Sequence, residues 1–441
     1  MKKIIISLII LAVIGVILFL YFEKEKGEEE MIQPQLPKLP LVTTGEVAYG
    51  WSVKDTSQEA VKEAVEMMKE KLKGKNPHYI FIWYTIAYDP YEIKEILRKL
   101  LGENVQIHGS SSAVGVITSD GYHVGKIGSV AILGITSEKI KIGVGGANLE
   151  KLEPKEAGKK AINEALANIN QKGKPQFVYI TATPSQEEEI LLGIEEVIGN
   201  EVPIIGGSAG DETLKARWSN IANDKIHSSG IVLSVIFSDL KMGYAHEYGY
   251  LKSIKKGLAT KAEGRILYEI DNRPAAEVYN EWAGGQFNKE LKEGGMILAG
   301  ATFYPLGKIL REEEEYFPGH PGLINLPEKS LTMFTNIEIG DELVLLEGNW
   351  EWLINRAQKT ARRALLAGDI SHEEGLFAFY TFCAGNLLGI PELERAKIAV
   401  LLGEEIGKIP YIGGFTLGEQ IYFSSLGNRH ANLVNSLVIF K

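Results

Sequence analysis

Val202-Pro203-Ile204-Ile205-Gly206-Gly207-Ser208 is an apolar, β-branched run that breaks into glycine and then into a small hydroxylated residue. The phrase recurs as Val105-Gln106-Ile107-His108-Gly109-Ser110-Ser111 and as Ile409-Pro410-Tyr411-Ile412-Gly413-Gly414-Phe415-Thr416. A weaker echo is Ile297-Leu298-Ala299-Gly300-Ala301-Thr302. The leading glycines fall at 109, 206, 300 and 413, a period of about one hundred residues. Self-similarity at fixed spacing reports a repeated architecture before any single residue reports a function.

The elements around each phrase repeat too. In the first unit, Gly45–Val53 reads as a strand and Asp55-Thr56-Ser57 caps a helix to about Lys73. Tyr79–Ile86 is continuously apolar, as in a strand buried on both faces. A helix over 91–101 precedes the phrase, and a turn at Asp120-Gly121 leads to a strand at 129–134. The second unit follows the same order from Lys141 to Phe237. The last is expected to run from a strand at 342–346, through helices at 350–366 and 391–406, to a strand at 436–440. The spacing predicts an α/β fold: duplicated α/β units with mixed sheets in two packed halves, preceded by one transmembrane helix. The expected division is an anchor at 1–22, a linker at 23–44, an N-terminal domain at 45–255 and a C-terminal domain at 256–441.

The anchor rests on the residues after Lys2 and Lys3. Residues 4–22 carry no charge, and as a helix at about 1.5 Å per residue they nearly span a hydrocarbon core of ~30 Å. The charge run from Glu23 to Glu30, then Pro34, Pro37 and Pro40, reads as a solvated, stiffened spacer. The flanking lysines favour a cytoplasmic N-terminus, so the expected location is the cell membrane, single-pass, with an extracytoplasmic body. The last strand ends beside Lys441, so an output domain is expected on a separate partner.

Composition narrows the chemistry. With 45% hydrophobic and 24% charged residues the chain is globular, and a net charge of −10 without a basic cluster disfavours nucleic acid. The one cysteine, Cys383, precludes an intramolecular disulfide and a cysteine-based zinc site. The eight histidines lack metal-ligand spacing, so neither metal nor cofactor is expected. No phrase continues into the Lys-Ser/Thr of a nucleotide loop.

Glycines at a strand end let backbone N–H groups face a carboxylate without interference from Cβ atoms. Ser110, Ser111, Ser208, Asp211, Thr416 and Glu419 follow the phrases, near the strand ends where ligands collect in α/β folds. Acidic side chains suit an ammonium group, so the set is shaped for an amino acid or another small carboxylate. The competing reading is turn chemistry, in which Asp and Ser satisfy their own loops. His108 beside Ser110–Ser112 suggests a Ser–His hydrolase, although such a pair also needs spatial reach and an orienting carboxylate. Cys383 ends a buried run before Ala384-Gly385-Asn386 and reads as a reactive thiol or a small buried hydrophobe.

Together these phrases resemble the FIST family. The likeness is carried by Ile107-His108-Gly109-Ser110-Ser111, by 203–211, by Ile270-Asp271-Asn272-Arg273-Pro274-Ala275 with Tyr279, and by Tyr304-Pro305-Leu306-Gly307. In the C-terminal part it is carried by Phe382-Cys383-Ala384-Gly385 and by 413–419. The resemblance implies a sensory protein that binds a small ligand and passes its state to a signalling partner. Asn386 stands where the family pattern suggests a basic residue. The expected ligand-binding set is His108, Gly109, Ser110, Ser111, Gly206, Gly207, Ser208, Asp211, Cys383, Asn386, Gly413, Gly414, Thr416 and Glu419. The alternatives are an anchored hydrolase using Ser110–Ser112 with His108, or a ligand-free scaffold for another membrane protein.

Overall fold

The computed structural model describes residues 45–213, 215–310 and 315–441. The expected anchor at 4–22 and linker at 23–44 lie outside the described residues. Among the described residues, no helix is long and apolar enough to cross a membrane.

Three mixed sheets share one plan. In the first, Tyr79–Tyr84 runs parallel to Gln106–Ser111 and antiparallel to Val130–Ile135, which pairs with Val47–Ser52. In the second, Phe177–Ala182 is parallel to Ile204–Ser208 and antiparallel to Gly230–Ser238, with Ile140–Asn148 outside. In the third, Phe377–Cys383 is parallel to Tyr411–Thr416 and antiparallel to Asn435–Phe440, with Met242–Glu247 outside. The mixed α/β class and the repeated units are present, and the repeats number three.

Each sheet is completed by a hairpin from another unit. Asn220–Ala222 and Lys225–His227, from the second unit, join the first sheet. Glu419–Phe423 and Gly427–Ala431, from the third, join the second sheet. Val116–Thr118 and Gly121–His123, from the first, join the third. The exchange is cyclic, so each glycine-bearing strand has its open edge covered by a neighbour.

Side chains alternate along the central strands, one face toward helices and one toward the other sheets. Ala60, Val61, Ala64, Val65 and Met68 of helix Ser57–Lys71, capped by Thr56, pack on Ile80 and Ile82. On the inner face, Phe81, Tyr179 and Phe379 occupy equivalent register positions, and their rings meet at 5.1, 5.5 and 4.7 Å. The same position from three repeats thus forms one shared core.

The third unit is interrupted after Met242–Glu247. A nine-stranded sheet built around Leu251–Glu263 intervenes before helix Trp350–Gly368 resumes the plan. This corrects two expectations. Glu342–Glu347 pairs with Leu251–Glu263 and Leu306–Leu310 inside the inserted sheet, so Met242–Glu247 leads the third unit. The echo at Gly300 lies on the short helix Leu298–Ala301, where Leu and Ala replace the β-branched run that makes the other phrases strands. The division expected at 255/256 falls within the strand Leu251–Glu263.

Candidate functional site

The three glycine phrases converge, but as a hydrogen-bonded joint. Ala113 N donates to Phe415 O at 2.8 Å, Gly210 N to Ser111 O at 2.7 Å, and Ser208 N to Gly418 O at 2.8 Å. Leu417 N returns a bond to Ser208 O at 2.9 Å. These bonds hold one phrase to the next, and they occupy the N–H of Ser208, a member of the expected ligand-binding set. The glycines serve close packing: a Cβ on Gly206 would sit 1.9 Å from Ile180 O, and one on Gly414 would sit 2.4 Å from the Trp83 ring. Gly109 lies against Ile82 and Ile221, Gly207 against Thr416, and Gly413 against Tyr380.

Several expected site residues have structural partners. Ser111 Oγ accepts from Ser219 N, and Ser112 Oγ donates to Gly115 O while accepting from Phe415 N. Ser208 Oγ donates to Glu187 Oε1 at 2.6 Å. Glu187 is fully buried, and its other oxygen takes Arg265 of the inserted sheet at 2.7 Å, fastening that sheet to the second unit. Asp211 accepts from the backbone of Thr213, Lys215 and Arg217, so its carboxylate orders its own loop. Of the phrase serines, Ser110 alone keeps a buried, unpartnered hydroxyl.

His108 is not placed to activate Ser110–Ser112. Its Nδ1 lies 2.8 Å from Ser234 Oγ and its Nε2 lies 2.9 Å from Thr181 Oγ1. Ser234 Oγ in turn lies 3.0 Å from Tyr79 OH. Burial pushes the imidazole down to about 3, so it is neutral and a poor base. The network ties the first sheet to the second.

The C-terminal members of the set come together around a residue that sequence reasoning missed. Thr416 Oγ1 donates to Glu419 Oε1 at 2.7 Å, and Val434 N to Glu419 Oε2 at 3.2 Å. The Cys383 thiol hydrogen-bonds the same carboxyl. Asn386 Nδ2 donates to Cys383 O, and its Oδ1 lies 3.0 Å from Tyr250 OH. Beside them, Arg356 of helix Trp350–Gly368 lies with its guanidinium carbon 4.7 Å from the Phe382 ring centroid. Arg356 Nη1 donates to Tyr248 O and Leu433 O, while Nε and Nη2 are buried without a partner. One signal could have found it: Leu353, Arg356, Ala357, Thr360 and Ala361 keep helical spacing, which sets a cation on an apolar stripe.

The electrostatics here are unusual. Burial raises Glu419 to about 8, against the opposing pull of its hydrogen bonds and Arg356, so the carboxyl is protonated at neutral pH. Burial and the neighbouring Glu419 hold the Cys383 thiol well above its usual range, which makes it a small buried group and not a nucleophile. Arg356 is therefore a buried cation without an ionised partner. Among the described residues, no cluster of His, Cys, Asp and Glu could hold a metal ion.

The body is a three-unit α/β fold in which Arg356 is buried with open donors and His108 is bonded to Ser234 and Thr181. Residues 78–273 match the FIST N domain and residues 275–422 the FIST C domain, so the chain belongs to the FIST family. An uncharacterised protein of Methanocaldococcus jannaschii is 33% identical over 107 residues, which is 24% of this chain and 20% of that protein. The match thus spans about a fifth of that relative. Among solved structures, a cyanuric acid hydrolase aligns over 90% of this chain and 99% of its own, with TM-score 0.36 and 9% identity. The cyanuric acid hydrolase of A. caulinodans aligns over 89% and 98%, with TM-score 0.37 and 10% identity. At those scores the likeness carries neither substrate nor chemistry to this chain.

Proposed function

We propose that this chain is a membrane-tethered sensory protein for a small carboxylate, an amino acid among them, acting through a separate signalling partner. FIST domains are small-ligand sensory domains, and both halves of the family pattern are present. The observation that carries the ligand class is Arg356, whose buried Nε and Nη2 have no partner. A guanidinium buried without an anion is costly, and a planar carboxylate matches two adjacent guanidinium donors. Protonated Glu419 and neutral Tyr250 stand beside it and add no negative charge.

Residues 4–22 supply the tether and 23–44 the spacer in this reading, with the body outside the cytoplasm. Carbonate extraction of membranes, with and without residues 1–22, tests the tether. Removal of the segment should release the protein. The ligand is tested by thermal shift and calorimetry against amino acids and dicarboxylates. A ligand at one hundred times its Kd adds about 2.7 kcal/mol to the folded state. Arg356→Met should abolish that gain, and a response unchanged in Arg356→Met would sink the assignment.

A further inference from the structure

One row of side chains in the first sheet differs from its counterparts in the other two. Register sets Trp83 opposite Ser110, Ser110 opposite Asn220, and Asn220 opposite His227. Residues directly opposed across strands share a face. Trp83 belongs to the core between the sheets, so the whole row lies on that inner face. Trp83, Ser110 and Asn220 are completely buried and His227 is 6% exposed. Even so, Trp83 Nε1, Ser110 Oγ, both Asn220 carboxamide atoms and His227 Nε2 lack a hydrogen-bond partner.

The equivalent row in the second sheet is Thr181, Gly207 and Glu419. There Thr181 is bonded to His108, and Glu419 to Thr416 and Val434. In the third sheet the row is Thr381, Gly414 and Val116, with Thr381 bonded to Tyr179. Extending that row to Ser436 adds one unpartnered hydroxyl. Buried polar atoms in folded proteins almost always find partners. Five unpartnered polar atoms lie side by side in this one sheet, where the equivalent rows of the other two sheets have none or one.

We infer that this row is a binding site for a small uncharged molecule carrying a carboxamide. Asn220 presents a donor and an acceptor side by side, which is the complement of another carboxamide. Trp83 offers a donor for a carbonyl, and the Ser110 hydroxyl can give or accept. None of the four residues carries a fixed charge, and burial favours neutral His227, so an ion would be strongly disfavoured there. The indole is held in place because Gly414 has no Cβ to push it away. The site is separate from Arg356 and does not depend on the carboxylate assignment.

The full chain is titrated with acetamide, succinamide and nicotinamide, read by thermal melting and by tryptophan fluorescence. At least one amide should raise the melting temperature of the wild type. Asn220→Leu should raise the half-saturating concentration at least tenfold, and Ser110→Ala should weaken binding in the same direction. A carboxylate response that survives in Asn220→Leu would confirm two separate sites. If no amide shifts the wild type, the inference is overturned, whatever the carboxylates do. It is also overturned if Asn220→Leu or Ser110→Ala melts higher than the wild type and leaves the amide response intact, since the row would then be only a buried liability. Should Asn220→Leu fail to fold, Ser110→Ala and the wild-type titration decide.

Discussion

Replacing Glu419 by glutamine should stabilise this protein at neutral pH. Glu419 is fully buried, and burial raises its carboxyl from the ordinary 4.5 to about 8. Between those values the native state keeps a proton that the unfolded state releases, so stability falls as pH rises through the window. At about 1.4 kcal/mol per pH unit, holding that proton at pH 7 costs about 3 kcal/mol. Glutamine is neutral in both states and removes the cost. Its Oε1 can accept from Val434 N while its Nε2 donates to Thr416 Oγ1, reversing the bond that Thr416 now donates. With an allowance for imperfect amide geometry, the expected gain is about 1–3 kcal/mol at pH 7. Urea unfolding of both proteins from pH 5 to pH 9 measures it, and the two curves should converge toward pH 5. A Glu419→Gln variant that is less stable at pH 7, or that loses stability between pH 5 and pH 8 as steeply as the wild type, would refute the reasoning. The same ionisation should weaken carboxylate binding at Arg356 as pH rises through 8, because an ionised Glu419 competes for the guanidinium.

Arg265→Ala should cost about 3–5 kcal/mol, because it strands the fully buried Glu187. Hydrogen exchange should then rise first across the inserted sheet at 251–347. Burial holds His108 at about 3, below its ordinary 6.5, so its contribution is complete above 6.5 and lost as pH falls toward 3. His108→Leu should cost about 1–3 kcal/mol at pH 7 by stranding the Thr181 hydroxyl, while Ser234 keeps Tyr79 OH, measured by urea unfolding. Gly414→Ala places a methyl group 2.4 Å from the Trp83 ring and should cost about 1–3 kcal/mol, with a shift in Trp83 emission as the second readout.

The local order of elements was legible because it is written in short-range patterns. Apolar runs such as Tyr79–Tyr84, caps such as Thr56, and the glycine phrases mark strands and helices from their own residues. The candidate site was legible only in part. Cys383, Asn386, Thr416 and Glu419 do gather, and Ser110 does lie on the inner face with an open hydroxyl. Ser111, Ser208 and Asp211 instead satisfy the chain itself, as turn and joint residues.

The sequence by itself determined a repeated α/β chain of the FIST family, because periodicity and phrase order are properties of neighbouring residues. Only the tertiary structure decided that three units exchange hairpins, that Met242–Glu247 and not Glu342–Glu347 leads the third, and that Arg356 stands beside Glu419. The physical reason is register. Which strand edge a hairpin covers, and which buried polar atom is left without a partner, depends on pairings between residues far apart in the chain, such as Ser110 with Asn220 and Gly207 with Glu419.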